Sequence, residues 1–136
     1  MNLKIFKAYD IRGKYPSELN KEAVSAIAFS LGKYFGRKAK IIVARDIRKS
    51  SSILLGSVKK SLKKGGVNVI DVGLATTPMF YFLINKLKAD GGIMLTASHN
   101  PKEYGGLKVA RKKAMPISGK EILGMMNREL RTKNDE

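Results

Sequence analysis

Ser98 and His99, the latter the chain's only histidine, stand side by side in Gly92-Ile93-Met94-Leu95-Thr96-Ala97-Ser98-His99-Asn100-Pro101. The segment passes from a hydrophobic run into small and polar residues. Pro101 disfavours helical backbone at Asn100, which predicts an extended or turned loop with Ser98 exposed. Acyl transfer suits this pair poorly. Neighbouring side chains on extended backbone point opposite ways, so His99 is badly placed to deprotonate Ser98. The chain also lacks a second histidine and a G-x-S-x-G elbow. A hydroxyl without a strong adjacent base suits phosphate carriage better. A phosphate there would add about −1.5 to −2 charge and need cations around it.

Cations are plentiful. Twenty-seven Lys and Arg against eleven Asp and Glu give a formal charge of +16, which favours anionic partners such as nucleic acid, a membrane surface or phosphorylated small molecules. The lysines recur in pairs (Lys59-Lys60, Lys63-Lys64, Lys112-Lys113) rather than in one block. Most are therefore assigned to a solvated surface. A nucleic-acid-binding basic module is the rival reading. It finds no helix-turn-helix or RNA-binding signature, and Phe80-Tyr81-Phe82 reads as core rather than as a base-stacking platform. The absence of cysteine excludes a disulfide framework, a thiolate metal site and a cysteine nucleophile, and it fits a reducing compartment. Met1–Lys7 has no signal-peptide core, and the apolar run Met79–Ile84 is too short to cross a bilayer. The expectation is a cytoplasmic protein with no membrane partner and no specific nucleic acid.

The elements that must position Ser98 follow from periodicity. The 136 residues fit one domain, and 43% hydrophobic content is enough for a core. Val24, Ile27, Ala28, Leu31 and Phe35 predict a helix over 20–36, with Asn20 as N-cap and Gly36 as stop. Ile41–Ala44 reads as a buried strand. Leu54, Val58 and Leu62 predict a helix over 51–64 that ends at Gly65-Gly66, and Val67–Val72 reads as the next strand. Pro78 suits the first turn of a third helix burying Met79, Leu83 and Leu87 or their neighbours. Gly91–Leu95 is a further strand, and Gly105–Ala110 another, antiparallel to its neighbour. Ser118 with Glu121 forms a capping box for a last helix with Ile122, Met126 and Leu130, solid to about Arg131 and frayed over 133–136. Such alternation predicts a three-layer α/β/α sandwich with a mixed, mostly parallel sheet. Ligands then gather beyond the carboxyl ends of the strands, at loops Arg45–Ser52, Gly73–Thr77 and Thr96–Gly106.

Four segments in order resemble the α-D-phosphohexomutases, the phosphoglucomutase/phosphomannomutase family. Thr96–Lys108 (TASHNPKEYGGLK) resembles the active-site loop, and Asp10-Ile11-Arg12-Gly13 the motif closing the opening strand Phe6–Gly13. Arg45-Asp46-Ile47-Arg48-Lys49-Ser50-Ser51 resembles the R-D-x-R-x-S-S loop, and Asp71–Pro78 a further stretch leading into a helix. The resemblance spans about Ile5 to Leu130 and implies the family's first domain, over residues 1–136. It implies that Ser98 is the serine phosphorylated in the resting enzyme. That phosphate passes to a hexose phosphate, giving a bisphosphorylated intermediate that returns its other phosphate to the serine. Arg12, His99, Asn100 and Lys108 match positions around substrate and phosphate. Lys108 is the implied proton shuttle, with His99 and Arg12 stabilising the phosphoryl group. Alternatives stand beside each role: His99 as a structural hydrogen-bonding residue, Lys108 as a solvent-facing lysine, and Arg12 as a partner of Asp10 or Asp46. Arg45, Asp46 and Arg48 are read as caps and ion pairs fixing their own loop.

Two departures bear on that picture. Gly105 stands where the family has asparagine, in a position read as a turn. The resemblance also implies four domains around one cleft, with Mg²⁺ held by the Ser98 phosphate and a D-x-D-x-D-R loop of the second domain. Sugar selection lies in the third domain and the distal phosphate site in the fourth. This sequence has no such acidic loop. The expectation is a domain whose partners are the remaining mutase domains, as a C-terminal part or a separate chain, with hexose bisphosphate as activator and intermediate. Alone it is expected to be inactive, and to form a weak homodimer through its loop side. A non-catalytic phosphosugar-binding remnant is the third reading.

Overall fold

In the computed structural model, which describes residues 1–135 with side chains through Thr132, helices and strands alternate along the chain. The elements are β1 (Ile11–Lys14), α1 (Lys21–Phe35), β2 (Lys40–Arg45), α2 (Lys49–Lys64), β3 (Asn68–Leu74), α3 (Thr77–Lys86), β4 (Gly91–Leu95), β5 (Tyr104–Arg111), β6 (Met115–Ile117) and α4 (Gly119–Asp135). The sheet runs β1-β5-β4-β2-β3. β2 pairs in parallel with β3 and β4, while β5 runs against β4, β1 and β6. β1 lies opposite Tyr104–Leu107 and β6 opposite Val109–Arg111, end to end along one edge of β5. The sheet is therefore mixed, as anticipated, and every strand but β5 points the same way.

Strand alternation sets the layers. Ile41, Val43, Ile93, Leu95, Leu107 and Val109 face the core shared with α1, α2 and α4. Ile42, Ala44, Met94 and Ala110 face the opposite way, toward Phe80 and Ile84 of α3. The result is the α/β/α sandwich. It also fixes the side on which the polar residues of β1 and β5 lie: with Ile11, Leu107 and Val109 turned to the first core, Arg12 and Lys108 are left on the α3 face.

Local signals explain most boundaries. Asn20 caps α1 by accepting from the Ala23 N–H at 2.9 Å, and Val24, Ile27, Ala28 and Leu31 are fully inaccessible. Burial of each larger side chain of this kind is worth about 1.5–3 kcal/mol. α2 starts at Lys49, earlier than its apolar pattern, because the backbone turns helical directly after the extended Arg48.

One helix resolves and another corrects the sequence reading. α3 carries Pro78 in its first turn, and of the faces left open it buries the neighbours Phe80 and Ile84, while Met79 is 52% and Leu87 37% exposed. In a helix one residue is about a 100° rotation, so a single step exchanges faces. Of the aromatic trio only Phe80 is fully buried, and Phe82 is exposed. In α4, Ser118 Oγ accepts from the Glu121 N–H at 3.0 Å, but the Glu121 carboxylate pairs with Arg111, so only half of the capping box forms. Ile122 and Met125 are buried and Leu130 is exposed. α4 runs to Asp135, past Arg131 where fraying was anticipated; Glu136 lies outside the described residues.

Candidate active site

β4 ends at Leu95 and the chain returns as β5 at Tyr104, so the loop between them stands beyond the carboxyl end of β4. Its backbone is tied to itself and to the sheet. Thr96 N–H donates to Gly106 O at 2.9 Å, Asn100 N–H to Ala97 O at 3.1 Å and Tyr104 N–H to Pro101 O at 3.0 Å. Ser98 N–H donates to Thr96 Oγ1 at 3.1 Å. Ser98 itself has φ +55°. Left-handed backbone costs a side-chain-bearing residue roughly 1–2 kcal/mol, so the surrounding bonds must hold it there. Gly106 permits the close approach. A Cβ on it would stand 2.5 Å from Ile11 O and 2.6 Å from Thr96 O.

Arg12 and Lys108 meet on one carboxylate. Asp10, only 3% exposed, accepts from Arg12 Nε at 2.9 Å and pairs with Lys108 Nζ at 3.5 Å. Arg12 Nη1 donates to Asn100 Oδ1 at 2.7 Å and so joins the β1 cation to the serine loop. Of the two partners considered for Arg12, Asp10 is the one observed. Asp46 serves Arg48 instead. Ser98, Asn100, Arg12 and Lys108 thus share one region. His99 lies exposed on the loop, outside this hydrogen-bonded cluster.

Asp10 was missed as a site residue. Its signal is the two-residue spacing to Arg12, which on an extended strand puts both side chains on one face. Tyr81 of α3 borders the same cluster: burial, and then the negative charge of Asp10, push its phenol above its ordinary pKa. Farther off, a hydrogen bond from Lys59 holds the Asp71 carboxyl below its usual range.

Asp46 acts as anticipated, fixing its own loop by accepting from the Arg48 N–H and from Ser51 Oγ. Arg48 does more than was read from sequence. It reaches across to the serine loop and binds the carbonyls of Ser98, Asn100, Pro101 and Tyr104. Gly105 also differs: it sits inside β5 opposite Gly13 with no left-handed backbone, not in a turn. A Cβ there would stand 3.4 Å from Leu19 Cδ2 and Ser50 Oγ.

An open cleft of about 1160 Å³ lies beside the loop, lined by all three expected segments, including Lys49, Thr76, Ser98, Asn100 and Lys102, and by Met79 of α3. Gly73, at φ +72° beside a bulge in the β2–β3 pairing, bends the β3 end of its rim, and its N–H is held by Asp71 Oδ1 at 2.8 Å. Among the described residues no three His, Asp or Glu side chains gather to hold a metal ion, and no helix is long and apolar enough to cross a membrane.

Known proteins share this architecture. A family model described as phosphoglucomutase/phosphomannomutase, alpha/beta/alpha domain I, matches residues 3–133. A phosphomannomutase of Salmonella montevideo is 44% identical over 118 residues, 87% of this chain and 26% of that protein. One from Klebsiella pneumoniae is 43% identical over 120 residues, 86% of this chain and 74% of the relative. The crystal structure of a phosphoglucomutase/phosphomannomutase family protein from Burkholderia thailandensis superposes with a TM-score of 0.84 at 33% identity, covering 98% of this chain and 31% of that one. The chain spans about a quarter of the length of the first curated relatives it matches.

Proposed function

The chain belongs to the phosphoglucomutase/phosphomannomutase family, as its domain I, and on that footing we propose that Ser98 carries the phosphoryl group in a hexose-phosphate mutase. The observation that supports this most is the convergence of Arg12 and Lys108 on the buried Asp10, with Arg12 also bonded to Asn100 of the loop that presents Ser98.

In this reading a sugar hydroxyl attacks the phosphorus of phospho-Ser98. The sugar O–P bond forms as the Ser98 Oγ–P bond breaks; the Lys108 ammonium gives a proton to the departing Ser98 Oγ and takes up the one that the attacking hydroxyl releases, so that it is a cation before and after. The bisphosphorylated sugar then turns over. Ser98 Oγ attacks its other phosphate, the Oγ–P bond forming as the sugar O–P bond breaks, with the serine proton replaced on the sugar oxygen through Lys108, and the isomeric hexose phosphate leaves. Such transfer depends on in-line placement and on neutralising the equatorial oxygens more than on a strong base. Arg12 supplies a planar fork toward that charge and His99 a further donor from the loop.

The family implies Mg²⁺. Among the described residues no three His, Asp or Glu side chains form a cage for it; a phosphate on Ser98 would be this domain's ligand to the ion, and no step is assigned to it. Sugar selection, the distal phosphate and the remaining metal contacts are assigned to further mutase domains, in the same polypeptide or in a partner chain. These 136 residues by themselves should therefore not turn over.

The test is Ser98→Ala in the complete mutase that contains this domain. Hexose 1-phosphate to hexose 6-phosphate conversion should fall at least about 10³-fold, as for loss of a nucleophile. Undiminished conversion would refute the assignment.

A further inference from the structure

We infer that Arg48 is a positioning residue for Ser98, one whose guanidinium shapes the serine loop and does not bind substrate; this rests on the reading of Ser98 as phosphate carrier. A guanidinium has five N–H donors in a rigid planar fork and no acceptor. In Arg48 the three nitrogens meet five acceptors. Nε donates to Asp46 Oδ2 at 3.2 Å. Nη1 donates to the carbonyls of Pro101 at 2.7 Å and Tyr104 at 3.2 Å, and Nη2 to those of Ser98 at 2.9 Å and Asn100 at 2.6 Å.

The side chain is 13% exposed. Its carboxylate partner is fixed in turn by Ser51 Oγ at 2.6 Å and by the Arg48 N–H at 3.0 Å. No donor remains for a phosphate unless a loop contact is given up. Arg12 differs: among the described residues it engages only Nε and Nη1.

The consequence for Ser98 is mechanical. Three carbonyls of the loop and that of Tyr104 at the start of β5 turn toward one guanidinium, and one of them belongs to Ser98, whose backbone is left-handed. In-line transfer is sensitive to the placement of the reacting oxygen, and a misplacement of about 1 Å can cost about 100-fold in rate. Lysine cannot substitute. It donates three hydrogens from one point and cannot match a planar set of carbonyls.

The experiment uses the complete mutase with Arg48→Lys and Arg48→Gln. For a positioning role, kcat falls about 10–100-fold in both while KM for hexose phosphate stays within about twofold. A KM increase with intact kcat, or restoration of activity by lysine, would show instead that Arg48 contributes charge to substrate binding and would overturn the inference. If neither variant folds, Asp46→Asn decides, since it loosens the fork from one side only. A lower kcat at constant KM then supports the inference, and an unchanged kcat defeats it. Ser98→Ala in the same background separates the two readings. An active Ser98→Ala enzyme removes the carrier assignment itself, whereas an inactive one beside fully active Arg48 variants removes only the role of Arg48.

Discussion

A buried carboxylate with two cationic partners is a stable arrangement only when all three are held together. Asp10, directly before β1, meets that condition with Arg12 on β1 and Lys108 on the neighbouring β5. Removing one member leaves charge uncompensated, which is costly in a buried site. Tyr81 lies close enough to feel Asp10, and its raised pKa carries a sign. A group whose folded pKa is raised favours the folded state fully below its unfolded value of about 10. That contribution is lost as pH rises through the folded value. Tyr81→Phe should therefore lose less stability than the parent above pH ~10 in denaturant titrations; parallel alkaline limbs would contradict this. That Arg12, Lys108 and Asn100 gather near the Ser98 loop was legible in sequence, because residue types and order carry that signal. The reach of Arg48 was not, since its acceptors are backbone carbonyls fifty or more residues away, which any residue could supply.

Elements place these groups through parity and close approach. Once Ile11, Leu107 and Val109 turn toward the first core, Arg12 and Lys108 have no choice of face. That much follows from alternation in the sequence. The phase of α3 did not, because its run Met79–Ile84 is apolar all round and gives periodicity nothing to discriminate; packing of Phe80 and Ile84 against Ile42, Ala44 and Met94 chose the face. Contact between strands also depends on Gly106, where a methyl would press on two backbone oxygens. Gly106→Ala should destabilise by about 1–3 kcal/mol, the usual range for overpacking, and should loosen the Thr96–Gly106 link. Thermal unfolding together with amide exchange at Thr96 measures both effects. An unchanged melting temperature would mean that the strands can move apart at little cost.

At the scale of the whole molecule, the three-layer sandwich was readable from alternating strands and helices. The short β6 was not, being a three-residue strand that exists only because β5 offers an edge beyond β1. The cleft side carries exposed Ile47, Leu74 and Met79. The chain matches 26% of the Salmonella montevideo relative, and under the proposed function this side would meet further mutase domains. In the isolated 136-residue chain it should support weak self-association. Sedimentation at rising concentration should show a monomer–dimer equilibrium that Ile47→Asp weakens; a monomer at every concentration would count against the assignment.

Covalent phosphate at position 98 is the claim from which the other functional assignments follow. The complete mutase can be incubated with hexose bisphosphate bearing radiolabelled phosphate, digested and mapped. The account predicts label on the peptide containing Ser98, discharged when unlabelled hexose monophosphate is added. Turnover that proceeds with the label on another residue, or with no labelled protein at all, would contradict it.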